Sequence, residues 1–180
     1  MCMFRDLYAE EIECRVAQAN EYGVSLLLYK DARCDQNILD ETVGAMNWMR
    51  SHTRDNANCI VSLWDKEKQQ WISKEDTGTE SNTEKEKGLA SDSFKRACFN
   101  WGIGRELYTA PVIKIYPQDL PGLKEQNGRW KCFDTFEVQK IIIEKKRIVA
   151  LAIRNTKTGK TCFVWQDKKW EAERKEKQNV

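Results

Sequence analysis

Residues 91–108, SDSFKRACFNWGIGRELY, decide the fold of this chain, because they join an amphipathic helix pattern to a glycine turn. The apolar residues in and just before this stretch follow the spacing of one helix face: Ala90, Phe94, Ala97, Cys98 and Trp101. We predict a long helix over residues 82–101 that packs this face on a sheet.

A basic pair lies on the other side of this helix. At about 100° per residue, the residues opposite the apolar face are Lys85, Asp92, Lys95, Arg96 and Phe99. Asp92 is three and four residues before the pair, so we expect it to hold both basic side chains. A cationic track beside an exposed aromatic is how single-stranded nucleic acid is held without sequence preference. A solvated helix face is the alternative interpretation.

The glycine pair follows the helix and does not open one. Dinucleotide and phosphate loops place glycines before a helix, so that its N-terminus meets the phosphate. Gly102 and Gly104 are therefore predicted to end the helix, with Arg105 at the negative helix terminus. The sequence also lacks the nucleotide-binding pattern G-x-x-x-x-G-K-S/T, and no cofactor is predicted.

The chain has 180 residues, of which 41% are hydrophobic, and this composition favours a globular protein. It contains no apolar run long enough to span a membrane. The N-terminus does not resemble a secretory signal. The seven cysteines lack C-x-x-C spacing, so we expect free, mostly buried thiols in a reducing cytoplasm and no zinc site.

Catalytic sets are not evident either. His52 is the only histidine, and no Ser or Cys motif accompanies it. Asp76, Glu80 and Glu84 could serve as metal ligands of a nuclease, but acidic residues at a helix start are more often dipole-compensating charges. We therefore predict no catalytic residues, no metal and no enzymatic activity.

Charge is distributed unevenly along the chain. Residues 1–93 carry 11 Lys/Arg and 18 Asp/Glu, whereas residues 94–180 carry 19 and 10, although the net charge is only +2. This asymmetry indicates a polyanion partner for the C-terminal half or head-to-tail contact between subunits, with solvated lysines as the alternative.

Before the long helix, residues 8–22 show helical spacing at Ile12, Val16 and Ala19, with Gly23 as the helix stop. Residues 24–30 are predicted to form a buried strand, and Asp35 to cap a helix over 36–46 with Ile38, Leu39, Val43 and Met46 on one face. Residues 58–64 and 70–76 are predicted to form a hairpin.

After the long helix, we predict a strand at 112–116, a loop at 117–129, and an antiparallel meander of strands at 136–143, 147–155 and 160–165. A charged helix follows to the C-terminus. We interpret residues 1–180 as one α+β domain, with a core at about 8–110 and a basic meander and terminal helix at about 130–177.

The central motif resembles a known family. The sequence D-x-G-x-E-S at 76–81, followed by EKEKGLASDSFKRACFNWGIGRELY at 84–108, is similar to the signature of the Rad fifty-two superfamily of single-strand annealing proteins, in particular its phage Sak-like branch. LDETVGAMNW at 39–48 resembles the family's helix ending in Gly with a following Asn-Trp. IECRVAQ at 12–18 resembles its segment bearing a DNA-contacting Arg, so the resemblance covers roughly residues 8–110.

The resemblance implies an ATP-independent annealase that acts in homologous recombination or double-strand break repair. It implies a βββα core, with a curved antiparallel sheet on the long helix, and a homo-oligomeric ring with single-stranded DNA in an outer basic groove. Lys95 and Arg96 match the family's basic pair, and Arg15 matches the upstream Arg. Phe99 stands where eukaryotic members carry another Arg, which suggests stacking or subunit packing there.

We therefore expect a DNA-binding protein of a phage or prophage, acting in the cytoplasm of a bacterial host. The predicted DNA-binding residues are Lys95, Arg96, Arg15, Phe99, Lys85 and Arg105. The expected partners are single-stranded DNA and further copies of the chain; a single-strand-binding protein is a further candidate partner, and no membrane is expected. The alternatives are a protein of the same superfamily that protects DNA ends and a metal-dependent nuclease.

Overall fold

A computed structural model describes residues 4–79 and 85–178, and it confirms the α+β class with three helices and mostly antiparallel sheets. The elements in chain order are β1 (Ile12–Asn20), β2 (Gly23–Lys30), α1 (Ala32–Val43), β3 (Trp48–Thr53), β4 (Asn58–Asp65), β5 (Gln70–Thr77), α2 (Lys85–Trp101), β6 (Ile113–Ile115), β7 (Leu123–Gln126), β8 (Arg129–Cys132), β9 (Phe136–Glu144), β10 (Arg147–Asn155), β11 (Thr161–Gln166) and α3 (Lys168–Gln178). No helix of the described residues is long and apolar enough to cross a membrane.

The chain divides into two compact units. The first contains Asp31–Arg105, and the second contains Leu7–Lys30 together with the chain from Glu106 onward. The two units therefore do not separate the acidic and basic halves of the sequence. The first unit, with its N-terminal residues 1–6, holds 12 Lys/Arg and 14 Asp/Glu, and the second holds 18 and 14. Folding thus reduces the charge contrast that the linear sequence shows.

In the first unit, α2 packs on a three-stranded antiparallel sheet of order β3-β4-β5. Alternate residues of β4 point toward the core, so Cys59, Val61 and Leu63 are buried. The predicted apolar face of α2 meets them, with Phe94, Ala97 and Cys98 fully buried and Ala90 and Trp101 half-buried. The predicted helix residues 82–84 lie outside the described part of the chain.

A glycine allows the chain to leave β5 directly beside α2. A Cβ atom at Gly78 would lie 2.5 Å from the backbone nitrogen of Ser93 and 2.9 Å from the carbonyl oxygen of Leu89. No side chain fits at this distance, which gives the glycine of the D-x-G-x-E motif a steric reason. The Gly78 N–H also donates to the carbonyl of Ala57 at 2.7 Å.

The predicted end of the long helix is confirmed. The N–H of Gly102 donates to the carbonyl of Phe99 at 2.9 Å, and the N–H of Ile103 donates to Cys98 at 3.2 Å. Gly102 and Gly104 have φ angles of 96° and 73°, a conformation that glycine adopts without steric cost.

The second unit contains a six-stranded sheet of order β11-β10-β9-β1-β2-β6. Its paired strands are antiparallel, and its end strands β6 and β11 approach each other, so the sheet curls toward a barrel. Apolar side chains fill its interior, among them Ile12, Leu26, Ile113, Leu151 and Ile153. The predicted meander and terminal helix are confirmed as β9, β10, β11 and α3.

The helix predicted over residues 8–22 is wrong. A short 3-10 turn at Ala9–Glu11 leads into β1, which pairs with β2 as a hairpin. Ile12 and Val16 are an even number of residues apart, so the same positions satisfy strand alternation. Gly23 does not end a helix. It is required because a Cβ at this position would lie 2.0 Å from the carbonyl oxygen of Ile115 in β6.

The helix predicted over 36–46 is shifted. α1 is capped by Asp31, whose carboxylate accepts a hydrogen bond from the Arg33 N–H at 2.6 Å, while Asp35 lies inside the helix and is buried. The helix ends at Val43, and Met46 lies beyond it with an exposed fraction of 89%. Gly44 ends α1 with a φ of 85°.

Besides β1, three strands were not predicted. β3 follows α1, and β7 and β8 form a hairpin where the sequence suggested a loop at 117–129. The turn of this hairpin is Asn127–Gly128, with φ angles of 52° and 72°. Asn-Gly is a strong sequence signal for a two-residue hairpin turn.

Candidate nucleic-acid interface

Lys95 of α2 lies near the N-terminus of α1. Its positive charge contributes to a lowered pKa of the Asp31 carboxyl, although the main cause is the hydrogen bond from the Arg33 side chain. Arg33 contacts the same carboxylate at 2.7 Å and is itself largely exposed. Asp31 is therefore paired with Arg33, and Lys95 acts on it only through a weaker, longer-range charge interaction.

Arg96 faces Asp76, the first residue of the D-x-G-x-E motif. Its Nε lies 3.5 Å from Asp76 Oδ1, and the two side chains are 41% and 30% exposed. The Nε atom is buried and makes no hydrogen bond with the described residues, so this is a charge contact without hydrogen-bond geometry. Solvent-accessible ion pairs contribute about 0–1 kcal/mol, and without a hydrogen bond this partly exposed pair adds little to stability. The rest of the Arg96 side chain remains available to an anion.

Asp76 is fixed by two other contacts. The N–H of Thr77 donates to Asp76 Oδ1 at 2.8 Å, and the Asn100 amide donates to Oδ2 at 3.1 Å. Lys74, two residues earlier on the same face of β5, donates to the carbonyl of Asn100 at 2.7 Å. Lys74 also lies over the ring of Trp101. Strand β5 thus holds the last turn of α2 and the basic pair in place.

Arg105 closes the C-terminal end of α2. Its Nε donates to the carbonyl of Phe99 at 2.5 Å, and its Nη2 donates to the carbonyl of Asn100 at 2.9 Å. A cation at this position satisfies carbonyls that the helix leaves without partners. Arg105 is exposed, so a nucleic-acid contact is geometrically open to it in addition to this structural role.

Phe99 is half-buried, which corrects the expectation of an exposed aromatic beside the basic pair. Asp92 was expected to hold both basic side chains. Its carboxylate instead accepts a hydrogen bond from the N–H of Thr79 at 2.9 Å, and the carboxylate at Arg96 is that of Asp76. Lys85 is the first residue of α2, but its side chain lies outside the described part of the structure.

Arg15 belongs to the second unit, on β1. Its guanidinium binds Glu13, two residues before it on the same strand face, at 2.6 Å. It also lies 4.9 Å from the centre of the Tyr29 ring. The predicted DNA-binding residues are therefore divided: Lys95, Arg96, Phe99 and Arg105 lie along and just after α2, whereas Arg15 lies in a different unit.

The carboxylates beside the basic pair were missed as partners by the sequence analysis. The sequence indicates Asp76 as a candidate metal ligand and as the first residue of the D-x-G-x-E motif, and it points to Asp35 and not to Asp31 as the cap of α1. Sequence alone carries a weak signal for them, since both come from elements that meet α2 only in the folded unit. For the alternative metal site, Glu80 and Glu84 lie outside the described residues.

His52 does not accompany an accessible nucleophile. Its Nδ1 lies 3.4 Å from the hydroxyl of Ser93, which is fully buried and donates to the backbone carbonyl of Asn56. Burial, and to a smaller extent the charge of Arg50, lower the pKa of His52. The six described cysteines are free, and burial raises the pKa of Cys59 to about 11. Within residues 4–79 and 85–178, no three His, Cys, Asp or Glu residues are grouped as a metal site.

Comparison with known proteins finds no matching family model, no matching curated protein and no matching solved structure.

Proposed function

We propose that this chain is an ATP-independent single-strand annealing protein, encoded by a phage or prophage and acting in the cytoplasm of a bacterial host. It binds single-stranded DNA and promotes pairing of complementary strands in recombination or double-strand break repair. The observation that carries the proposal is the adjacent pair of half-exposed cations Lys95 and Arg96 on α2, within a sequence that resembles the annealase signature.

The order β3, β4, β5, α2 supports the βββα core that the resemblance implies. The steric need for Gly78 gives the motif around it a structural reason. On this proposal, the motif has two parts: Gly78 lets the chain pass α2, and Asp76 places a carboxylate beside Arg96.

The mechanism requires no covalent chemistry. Phosphates of a bound strand approach Lys95 and Arg96 from solvent, while Asp31 and Asp76 stay in place and offset part of the attraction. The loss is small because ion pairs of this kind are weak. Counterions are released from the strand, so affinity falls steeply with salt. Holding the backbone leaves base edges free to test a second strand, and base pairing supplies the specificity.

Assembly into a ring is part of the proposal. The edges of the β3-β4-β5 sheet could pair with another subunit, because an edge strand presents unpaired backbone groups. The charge contrast between the two units is too small to be the main force of such an interface. Light scattering at micromolar concentration should report a mass many times 21.1 kDa.

The test measures the rate at which complementary oligonucleotides anneal, without ATP and in EDTA. Energy transfer between labels on the two strands reports their pairing. The protein should accelerate annealing and leave both strands intact, and the double variant Lys95→Ala/Arg96→Ala should lose most of the acceleration. Lys66→Ala/Lys68→Ala, in the β4–β5 turn, is the matched control and should retain it.

Strand cleavage abolished by EDTA would replace the proposal with the nuclease alternative. Tight DNA binding without acceleration would favour end protection. A double variant that folds normally by circular dichroism and anneals like the wild type would contradict the role of the basic pair.

A further inference from the structure

The β7–β8 hairpin carries a second group of cations. The register pairs Lys124 with Lys131 and Gln126 with Arg129, so these four side chains lie on one face of the two-stranded ribbon. All four are exposed. We call Lys124, Arg129 and Lys131 the hairpin cation face.

The arrangement is electrostatically unfavourable in the free protein. Directly opposite residues of an antiparallel pair have Cβ atoms about 4.5–5.5 Å apart, and like charges at this distance destabilise the pair. Glu125, the carboxylate within the hairpin strands, lies on the opposite face with Trp130. None of the three cations forms an ion pair with the described residues. This distinguishes them from Arg15 and Arg96, which have a carboxylate partner.

An exposed aromatic continues the same face. The N–H of Phe133 donates to the carbonyl of Gly122 at 3.0 Å, which extends the ladder by one residue pair beyond Cys132. Alternation then places Phe133 on the side of Arg129 and Lys131, and it is 51% exposed. Cations and an aromatic thus follow one another at two-residue intervals, about 6.8 Å apart along the strand.

The root of the hairpin is rigidly held. The N–H of Gly122 donates to the buried carboxylate of Asp134 at 2.8 Å, and a Cβ at Gly122 would lie 2.8 Å from the other oxygen of that carboxylate. The base of the hairpin is therefore anchored in the second unit.

We propose that the hairpin cation face, with Phe133, is a second contact surface for single-stranded nucleic acid, in which the three cations bind phosphates and Phe133 stacks on a base. A row of cations that ends in an exposed aromatic offers contacts to both the phosphates and a base of a single strand. An acidic protein segment would satisfy the cations but would not require the aromatic. The choice of single-stranded DNA as the ligand rests on the proposed function, whereas the surface itself does not involve α2.

The test is fluorescence anisotropy of a labelled thirty-nucleotide oligothymidine, measured over a salt series. Lys124→Gln/Lys131→Gln should weaken binding and reduce the slope of log affinity against log salt by about 1.4, at about 0.7 per lost phosphate contact on a single strand. Phe133→Ala should weaken binding at least about five-fold without changing this slope. Lys168→Gln/Lys169→Gln in α3 is the control with the same charge change, and it should bind like the wild type.

The outcomes separate the two proposals. If Lys95→Ala/Arg96→Ala abolishes binding and the hairpin variants bind normally, the hairpin inference is wrong and the proposed function stands. Loss only in the hairpin variants supports the hairpin and contradicts the α2 site. If the α3 control loses as much affinity as the hairpin variants, the loss is due to net charge and the hairpin inference is wrong. If poly-glutamate competes for binding and Phe133→Ala binds like the wild type, the surface belongs to an acidic protein and the nucleic-acid assignment is wrong. A wild-type protein that does not bind the oligonucleotide would also contradict the nucleic-acid assignment.

Discussion

Arg96 of α2 and Asp76 of β5 face each other at 3.5 Å between Nε and Oδ1, and the buried Nε makes no hydrogen bond with the described residues. The Asp76 carboxylate is held by hydrogen bonds from Thr77 and Asn100, and not by Arg96. Asp76 therefore offsets the charge of a residue that we assign to phosphate binding, and it should limit the affinity for DNA.

Replacing Asp76 with Asn should strengthen binding of single-stranded DNA. The amide keeps the shape of the side chain but removes the negative charge. The positive charge of Arg96 is then no longer offset, and Arg96 interacts more strongly with phosphate. We expect a steeper salt dependence, by about 0.7 in the log–log slope, measured by anisotropy. Glu67→Gln, at the opposite end of the β4–β5 hairpin, removes the same charge and should leave binding unchanged. Weaker binding in Asp76→Asn would show that the carboxylate supports the site.

Asp31 has two roles that different substitutions can separate. It caps α1 and also places a negative charge near Lys95. Asp31→Ala should destabilise the protein by about 0.5–2 kcal/mol through loss of the cap, whereas Asp31→Asn should cost little because Asn is an equally good cap. Both variants should bind DNA more tightly, since both remove the charge. Urea unfolding and anisotropy would measure the two effects, and equal stability of the two variants would contradict the capping role.

Local pattern predicted the elements whose periodicity is unambiguous. The helix stripe of α2 and the three apolar runs separated by turn residues at 136–165 each fit one type of structure, and the structure has the helix and the strand meander. Ile12 and Val16 fit both a helix and a strand, and the choice is made by pairing of β1 with β2 and β9, which the local sequence does not contain. Asp31 and Asp35 are both good caps, so the start of α1 was shifted.

The sequence pointed to the cations of the candidate site but not to the carboxylates beside them. Lys95 and Arg96 follow from helix geometry and the family resemblance. Their neighbours Asp31 and Asp76 depend on which surfaces meet after folding, and the helix spacing pointed to Asp92 instead. The β7–β8 hairpin was missed because its strands have only four residues each and are mostly polar, so hydrophobic alternation gave no signal.

Gly78→Ala should be strongly destabilising for a residue at the end of a strand. The added Cβ would overlap the backbone of α2 at Ser93, and a backbone atom cannot move away as a flexible side chain can. We expect a loss of about 1–3 kcal/mol in the free energy of unfolding, as for overpacked sites. Thr77→Ala, one residue earlier, introduces no such overlap and serves as the control in the same urea titration. A Gly78→Ala protein as stable as the wild type would mean that β5 leaves the sheet by another path.

His52 provides a direct measurement of the packing between β3 and α2. Its pKa is lowered, first by burial and second by the charge of Arg50, so the neutral imidazole is favoured in the folded state. A group whose folded pKa lies below its unfolded value of about 6.5 binds more protons when unfolded, so stability should decrease as the pH falls below about 6.5. Because His52 is the only histidine, its proton resonance can be assigned without ambiguity in a nuclear magnetic resonance titration. Arg50→Gln should move the titration midpoint upward, and His52→Gln should remove this part of the pH dependence of thermal unfolding. A His52 midpoint at or above 6.5 in the native protein would contradict the half-buried position of this side chain beside Ser93 of α2.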